Sequence, residues 1–145
     1  MEAIDILRDK LIGQFISRFS IGDTCDLAIG DYWLIAQEVV SKDEALLNEW
    51  LQNNYSLFNS TVDKEQISKS AVIASLLRRE VVAIRLDNLY NLVIYFEEGA
   101  ELIIPTNTGI VDWQWCLNRS GNDPYRDYLV ACFWEGEIAV SNNQN

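Results

Sequence analysis

The sequence predicts a single α+β domain over residues 1–140, a bent antiparallel sheet of two meanders plus a C-terminal hairpin, with about eight strands and three helices in all. Three observations lead there. Residues 81–105, VVAIRLDNLYNLVIYFEEGAELIIP, alternate apolar and polar positions with the period of two that a half-buried strand requires. Residues 15–40 carry a second, similar alternation. Between these two stretches the apolar residues follow helical spacing, and nowhere does the chain show the regular strand–helix alternation of a parallel α/β fold.

Residues 2–12 predict a short amphipathic helix, with Ile4, Leu7 and Leu11 on one face and Gly13 at its C-terminal end. Phe15, Phe19 and Ile21 mark the first strand. Cys25, Leu27 and Ile29 mark the second, and residues 32–40 the third, with turns at Gly22-Asp23 and Gly30-Asp31. Ser41 to Glu44 matches a capping box, and the helix it opens, over about residues 43–52, would bury Leu46, Leu47, Trp50 and Leu51. After an irregular stretch containing Leu57 and Phe58, Asp63 and Gln66 cap a second helix over residues 64–79, with Ile67, Ala71, Ala74 and Leu77 along one face and Ile73 and Leu76 widening that stripe, so that much of the helix should be buried. Val82, Ile84 and Leu86, then Leu92, Ile94 and Phe96, then Leu102 and Ile104 define the central meander, with its tight turn at Glu97-Glu98-Gly99. Residues 110–117 form a strand whose Trp113, Trp115 and Leu117 share one face, opposite Asp112, Gln114 and Cys116. The loop 118–125 leads to a strand at 128–134, a turn at Glu135-Gly136 and a last strand at 137–140, with residues 141–145 a frayed tail. The two meanders align, Gly30 with Gly99, but any two half-buried meanders would align as well.

Composition excludes several classes of function. With 22 acidic and 11 basic residues the net charge is −11, and the cations are scattered. A nucleic-acid backbone needs a basic footprint, and an anionic membrane would repel this chain, so neither is expected as a partner. The charge favours fast encounter with a basic protein, although it also serves solubility. No His is present, which removes histidine acid–base catalysis and the commonest metal ligand. Cys25, Cys116 and Cys132 are widely spaced, as expected of reduced, buried thiols in the cytoplasm, and neither a metal nor a cofactor is expected. The apolar run at 128–134 is too short to span a bilayer, and the N-terminus does not have the character of a secretory signal.

No catalytic residue emerges. Glu97, Glu98 and Glu101 sit at a predicted turn, where solvated charge is the ordinary state, and the glycines are isolated and form no phosphate loop. The Trp113/Trp115 pair is either an aromatic platform or part of the core, and its strand spacing favours the core. The candidate partner-binding residues are Glu97 and Glu98 in the acidic turn, with Asp123, Tyr125, Arg126 and Asp127 in the loop between two aromatic strands. Arg119 and Asn122 belong to the same loop cluster.

Over residues 81–140, a meander with the EEGAEL turn followed by the strand VDWQWCL resembles small acidic bacterial proteins of uncharacterised or immunity type. That resemblance implies a stoichiometric binder that blocks a basic toxin or enzyme. The alternative is a small-molecule-binding domain, or a His-free enzyme, with a pocket lined by Trp33, Trp50, Trp113 or Trp115.

Overall fold

The computed structural model describes residues 2–56, 63–121 and 123–141. In chain order the elements are α1 (Ala3–Leu11), β1 (Ile16–Ile21), β2 (Cys25–Ile29), β3 (Tyr32–Ala36), α2 (Glu44–Asn54), α3 (Lys64–Leu76), β4 (Val81–Leu86), β5 (Leu92–Phe96), β6 (Glu101–Ile104), β7 (Trp113–Asn118), β8 (Tyr128–Phe133) and β9 (Glu137–Val140). The fold is α+β and every strand pairing is antiparallel. Tertiary structure divides the strands into a six-stranded sheet of order β1-β2-β3-β7-β8-β9 and a three-stranded sheet β4-β5-β6. The central meander is therefore a sheet of its own, and β3 passes over it in sequence to pair with β7.

Two single bridges stitch the sheets together, Phe15 with Glu80 and Val40 with Ile103. The second explains why the third strand ends at Ala36 and not at Val40. The chain turns at Gln37, whose N–H donates to the Gln114 carbonyl at 3.0 Å, and Val40 then exchanges backbone hydrogen bonds with Ile103 of the other sheet. Helix α1 packs against β4 of the smaller sheet and against β8 and β9 of the larger one. Its Ile6, Leu7 and Leu11 are fully buried in the main core, with Leu27, Leu34, Ile73, Phe96, Leu102 and Trp115. Ile4, placed on the buried face by the sequence, is only half-buried, and Ile6 takes that place.

The turn between β4 and β5 locks the assembly. The Asp87 carboxylate accepts the N–H groups of Leu89 (2.9 Å) and Asn91 (3.0 Å) and the Asn91 side-chain amide (2.8 Å). Burial pushes the Asp87 carboxyl upward, but these donors outweigh it and hold the group below its ordinary 3.8. Asn91 Oδ1 in turn accepts Thr106 N–H at 2.8 Å. The outward-turned carbonyls are satisfied from elsewhere in the fold: Leu89 O by the Thr106 hydroxyl at 2.8 Å, and Tyr90 O by the Trp115 indole N–H at 3.0 Å. Against the same carbonyl of Leu89 lies Gly136, so close that a Cβ there would stand 2.6 Å from the oxygen.

The helices and the Trp pair depart from their expected roles. Helix α2 buries none of its side chains fully: Leu46 and Trp50 are exposed, and Leu47 only rests against the core. Its capping box does not close, because Ser41 Oγ accepts the N–H of Asp43 while the Glu44 carboxylate pairs with Lys69. Helix α3 starts as expected, with Asp63 accepting Gln66 N–H at 3.1 Å, but it stops at Leu76; Ile73 and Leu76 are buried as expected, joined by Ser68 and Val72, whereas Ala71 and Ala74 are exposed. Arg78 has φ 69° and ends the helical turn. In β7, the pairing runs Trp113 with Phe133 but Trp115 with Cys132. The extra residue, Gln114, makes a β-bulge, and a bulge reverses the alternation of faces. Trp115 therefore fills the main core, while Trp113 lies on the opposite side of the sheet with Ile35, Cys116 and Ala131. Both rings are buried, at 0% and 8% exposure, but they do not share a face as their spacing suggested.

Replacing Trp115 or Trp113 with Ala is expected to cost about 3–5 kcal/mol in urea unfolding, and a loss under about 1 kcal/mol would place that ring at the surface. Trp115→Phe should still cost about 1–3 kcal/mol, since it leaves the Tyr90 carbonyl without its donor. Two glycines with near-equal dihedral angles provide a second measurement. Gly99 (φ 81°) has nothing within 4 Å of a Cβ, whereas Gly136 (φ 79°) meets backbone. Gly99→Ala should cost about 1–2 kcal/mol for the left-handed conformation alone. Gly136→Ala should cost about 3 kcal/mol or more, and equal costs would show that the Gly136–Leu89 contact is soft.

Candidate interaction surface

The acidic turn and the aromatic loop, the two stretches singled out in the sequence, are separate places in the fold. Glu97 and Glu98 follow β5 at the end of the small sheet away from the Asp87–Asn91 turn. Glu97 Oε1 accepts Glu80 N–H at 2.9 Å and its own N–H donates to Glu80 O at 3.0 Å, while Glu98, at φ 65°, faces Arg79 at 3.6 Å. Both carboxylates are exposed, yet each also ties the turn to the start of β4.

The loop after β7 is folded by Asn118. Its fully buried amide donates to Asp123 O at 3.0 Å and accepts Gly121 N–H at 2.8 Å. Asp123 accepts Tyr125 N–H at 2.8 Å and faces Arg126 at 3.5 Å, and Asp127 takes φ 56°. The Tyr125 hydroxyl donates to Asp112, which with partial burial raises its pKa to about 12, and its ring stands 6.4 Å from that of Phe133. Asn122 lies outside the described residues, as do Leu57 and Phe58.

Under the loop, the outer face of the large sheet is aromatic. Trp33 is covered on one side by the Arg18 guanidinium, 5.0 Å from the ring, and touches Gly121, where a Cβ would come within 2.7 Å of the indole. Trp33, Trp50, Trp113 and Trp115 consequently do not converge on a pocket: one is stacked under the loop, one is exposed on α2, and two are buried on opposite sides of β7.

The described clefts are open. One of about 730 Å³ lies where α1, β4 and β9 meet, with Arg8 and Arg85 among its walls; Arg8 already donates to Ile84 O and Arg85 to the Tyr95 hydroxyl, each at 3.4 Å. On another side three clefts adjoin. The first, about 540 Å³, has walls of Leu89, Thr106, Asn107, Thr108, Trp134 and Glu135. Asn107 and Thr108 also wall a second, of about 410 Å³, which reaches Asp23, Gln37 and Glu38. Those last three border a third, of about 180 Å³, with Asp63, Glu65 and Lys69. The ridge between them is firm, because the Gln114 side chain, turned inward by the bulge, accepts the Thr108 hydroxyl at 2.7 Å and donates to Ile110 O at 2.7 Å and Asp112 O at 3.1 Å.

No family model, curated protein or solved structure matches this chain.

Electrostatics around the third cleft is organised by Lys69, which lies 2.6 Å from Glu38 and 3.2 Å from Glu44 and also donates to Val39 O. Burial alone would lower the Lys69 pKa, but the two carboxylates outweigh it, and the net shift is upward from 10.5. Cys25 faces this group, and burial pushes its thiol up to about 12 despite the nearby ammonium, which leaves it protonated and unreactive at neutral pH. Cys116 and Cys132 are likewise raised to about 12 by burial. Among the described residues no three His, Cys, Asp or Glu side chains are grouped to hold a metal ion, and no helix is long and apolar enough to cross a membrane.

Lys69 has a measurable linkage. Its folded pKa lies above the ordinary 10.5, so its stabilising contribution is complete below 10.5 and is lost as pH rises through the higher folded value. Lys69→Met should cost about 1–3 kcal/mol at pH 7–9, because it leaves Glu38, Glu44 and Val39 O without their cation. The gap between variant and wild type should narrow only above pH 10.5, as measured by denaturant unfolding across pH. A gap that closed below pH 9 would contradict the ion-pair geometry.

Proposed function

We propose that this protein is a non-enzymatic interaction module that binds a basic partner protein and blocks it stoichiometrically, as an immunity-type inhibitor does. The observation that carries this reading is how the fold spends its few cations. Lys10, Lys69, Arg79 and Arg126 each stand against a carboxylate, and Arg18 is stacked on Trp33. With 22 acids against 11 bases, the outward field is then set by carboxylates. The three thiols support the reading as well, since each is buried, raised in pKa and unsuited to nucleophilic work. A negative surface accelerates encounter with a positive one, and salt cancels the acceleration as the Debye length falls from about 10 Å at 0.1 M to about 3 Å at 1 M.

The immobilised protein should retain a basic protein from extracts of its native host at low salt. The purified pair should then associate at a rate that drops steeply with ionic strength. Glu97→Lys together with Glu98→Lys should slow association and flatten its salt dependence, at a stability cost of about 1–2 kcal/mol for the lost Glu80 and Arg79 contacts, which leaves the protein folded. Recovery of no basic protein, or an association rate indifferent to salt, would leave the charge as a solubility device only.

A further inference from the structure

The three adjoining clefts carry an inference of their own, which rests on the reading of a basic partner. We propose that they form one docking track for an extended segment of that partner, with a large apolar side chain seated between Leu89 and Trp134 and a Lys or Arg several residues away reaching the acidic end. The clefts share walls, so the track is continuous: Asn107 and Thr108 belong to the first and second, and Asp23, Gln37 and Glu38 to the second and third.

Its two ends differ in chemistry. At the first end Leu89 is 61% and Trp134 40% exposed, both on tight turns of the chain. Contiguous exposed apolar side chains rimmed by polar ones mark interaction sites, and Trp is enriched among the residues that dominate binding energy. At the far end the borders include Asp23, Glu38, Asp63 and Glu65. The cation there is Lys69, already held by Glu38, Glu44 and Val39 O, so that end stays negative. Among the described residues no Lys or Arg borders the first two clefts, and Glu135 adds a carboxylate beside the apolar end.

The walls are also held in place before any partner arrives. Leu89 sits in the turn fixed by Asp87, Asn91 and Thr106, Trp134 in the turn pinned by Gly136, and Thr108 on the Gln114 side chain. A surface that does not need to be ordered on binding keeps more of its contact energy as affinity. The charge decides which occupant fits. A second copy of this chain brings a further net charge of −11, and a nucleic acid brings its phosphates, so both are repelled from the acidic end. A basic segment with an apolar anchor satisfies both ends at once.

The test is an NMR titration of the full chain, ¹⁵N-labelled, with synthetic peptides that carry a Leu or Phe and, several residues away, a pair of Lys. Control peptides replace the Lys pair with Glu, or the apolar residue with Gly. The lysine peptides should shift the amide signals of Leu89, Thr106, Asn107, Thr108 and Glu38 and the Trp134 indole signal, and both controls should bind about tenfold more weakly or not at all. Trp134→Ala should remove the preference for the apolar residue, and Asp23→Lys with Glu65→Lys the preference for Lys; all three side chains are exposed, and a dispersed spectrum will show that each variant is folded. Shifts confined to Glu97-Glu98 or to residues 119–127, or binding unchanged in every variant, would overturn the track while leaving the basic-partner reading in place. Salt-independent association with the captured partner would remove that reading first.

Discussion

Two carbonyl oxygens, those of Leu89 and Tyr90, hold the two sheets in one relation. A turn takes its carbonyls out of the strand ladder, and a carbonyl withdrawn from water needs a donor from somewhere. Here the donors are the Thr106 hydroxyl and the Trp115 indole, which come from the segment after β6 and from the middle of β7. One turn thus binds the small sheet, the crossing segment and the large sheet. Gly136, in the β8–β9 hairpin, lies so near the Leu89 oxygen that an added Cβ would clash with it. The cleft between Leu89 and Trp134 is a by-product of this packing, because it lies where two turns and the crossing segment meet.

The β-bulge at Gln114 has an equally wide reach. It sends Trp113 and Trp115 to opposite sides of the sheet, so one strand supports both the main core and the smaller aromatic cluster beneath the 119–127 loop. It also releases the Gln114 side chain from the alternation, and the buried amide then secures the 106–112 segment with hydrogen bonds in both directions. A buried amide left unpaired would be costly, so this network fixes a loop that no regular ladder supports.

The helical pair α2–α3 is fastened differently. Helix α2 buries nothing completely, while α3 seats Val72, Ile73 and Leu76 in the main core and adds the cation Lys69, bound to Glu38, Glu44 and Val39 O. Carboxylates recruited for that purpose gather at the end of the track where a basic side chain would fit. The same economy explains the outward charge of the molecule. Most acids are on turns and helix surfaces in water, while several of the few cations are engaged inside or across the surface.

The sequence by itself determined the α+β class, the antiparallel meanders, the helix cap at Asp63 and most turn positions, because each rests on alternation or on chemistry between near neighbours. The acidic character and the lack of His were equally legible. Only the tertiary structure decided which strands share a sheet, since Trp33 pairs with Asn118 across a separation that no local pattern encodes. It alone placed the bulge, as WQW reads as unbroken alternation until its partner strand imposes a different register. It centred the buried face of α3 on Val72, Ile73 and Leu76 and left Ala71 and Ala74 exposed, with Lys69 held in ion pairs to Glu38 and Glu44. The docking track was illegible for the same reason: Asp23, Leu89, Thr108 and Trp134 lie far apart in the chain, and what joins them is the packing of turns from both sheets.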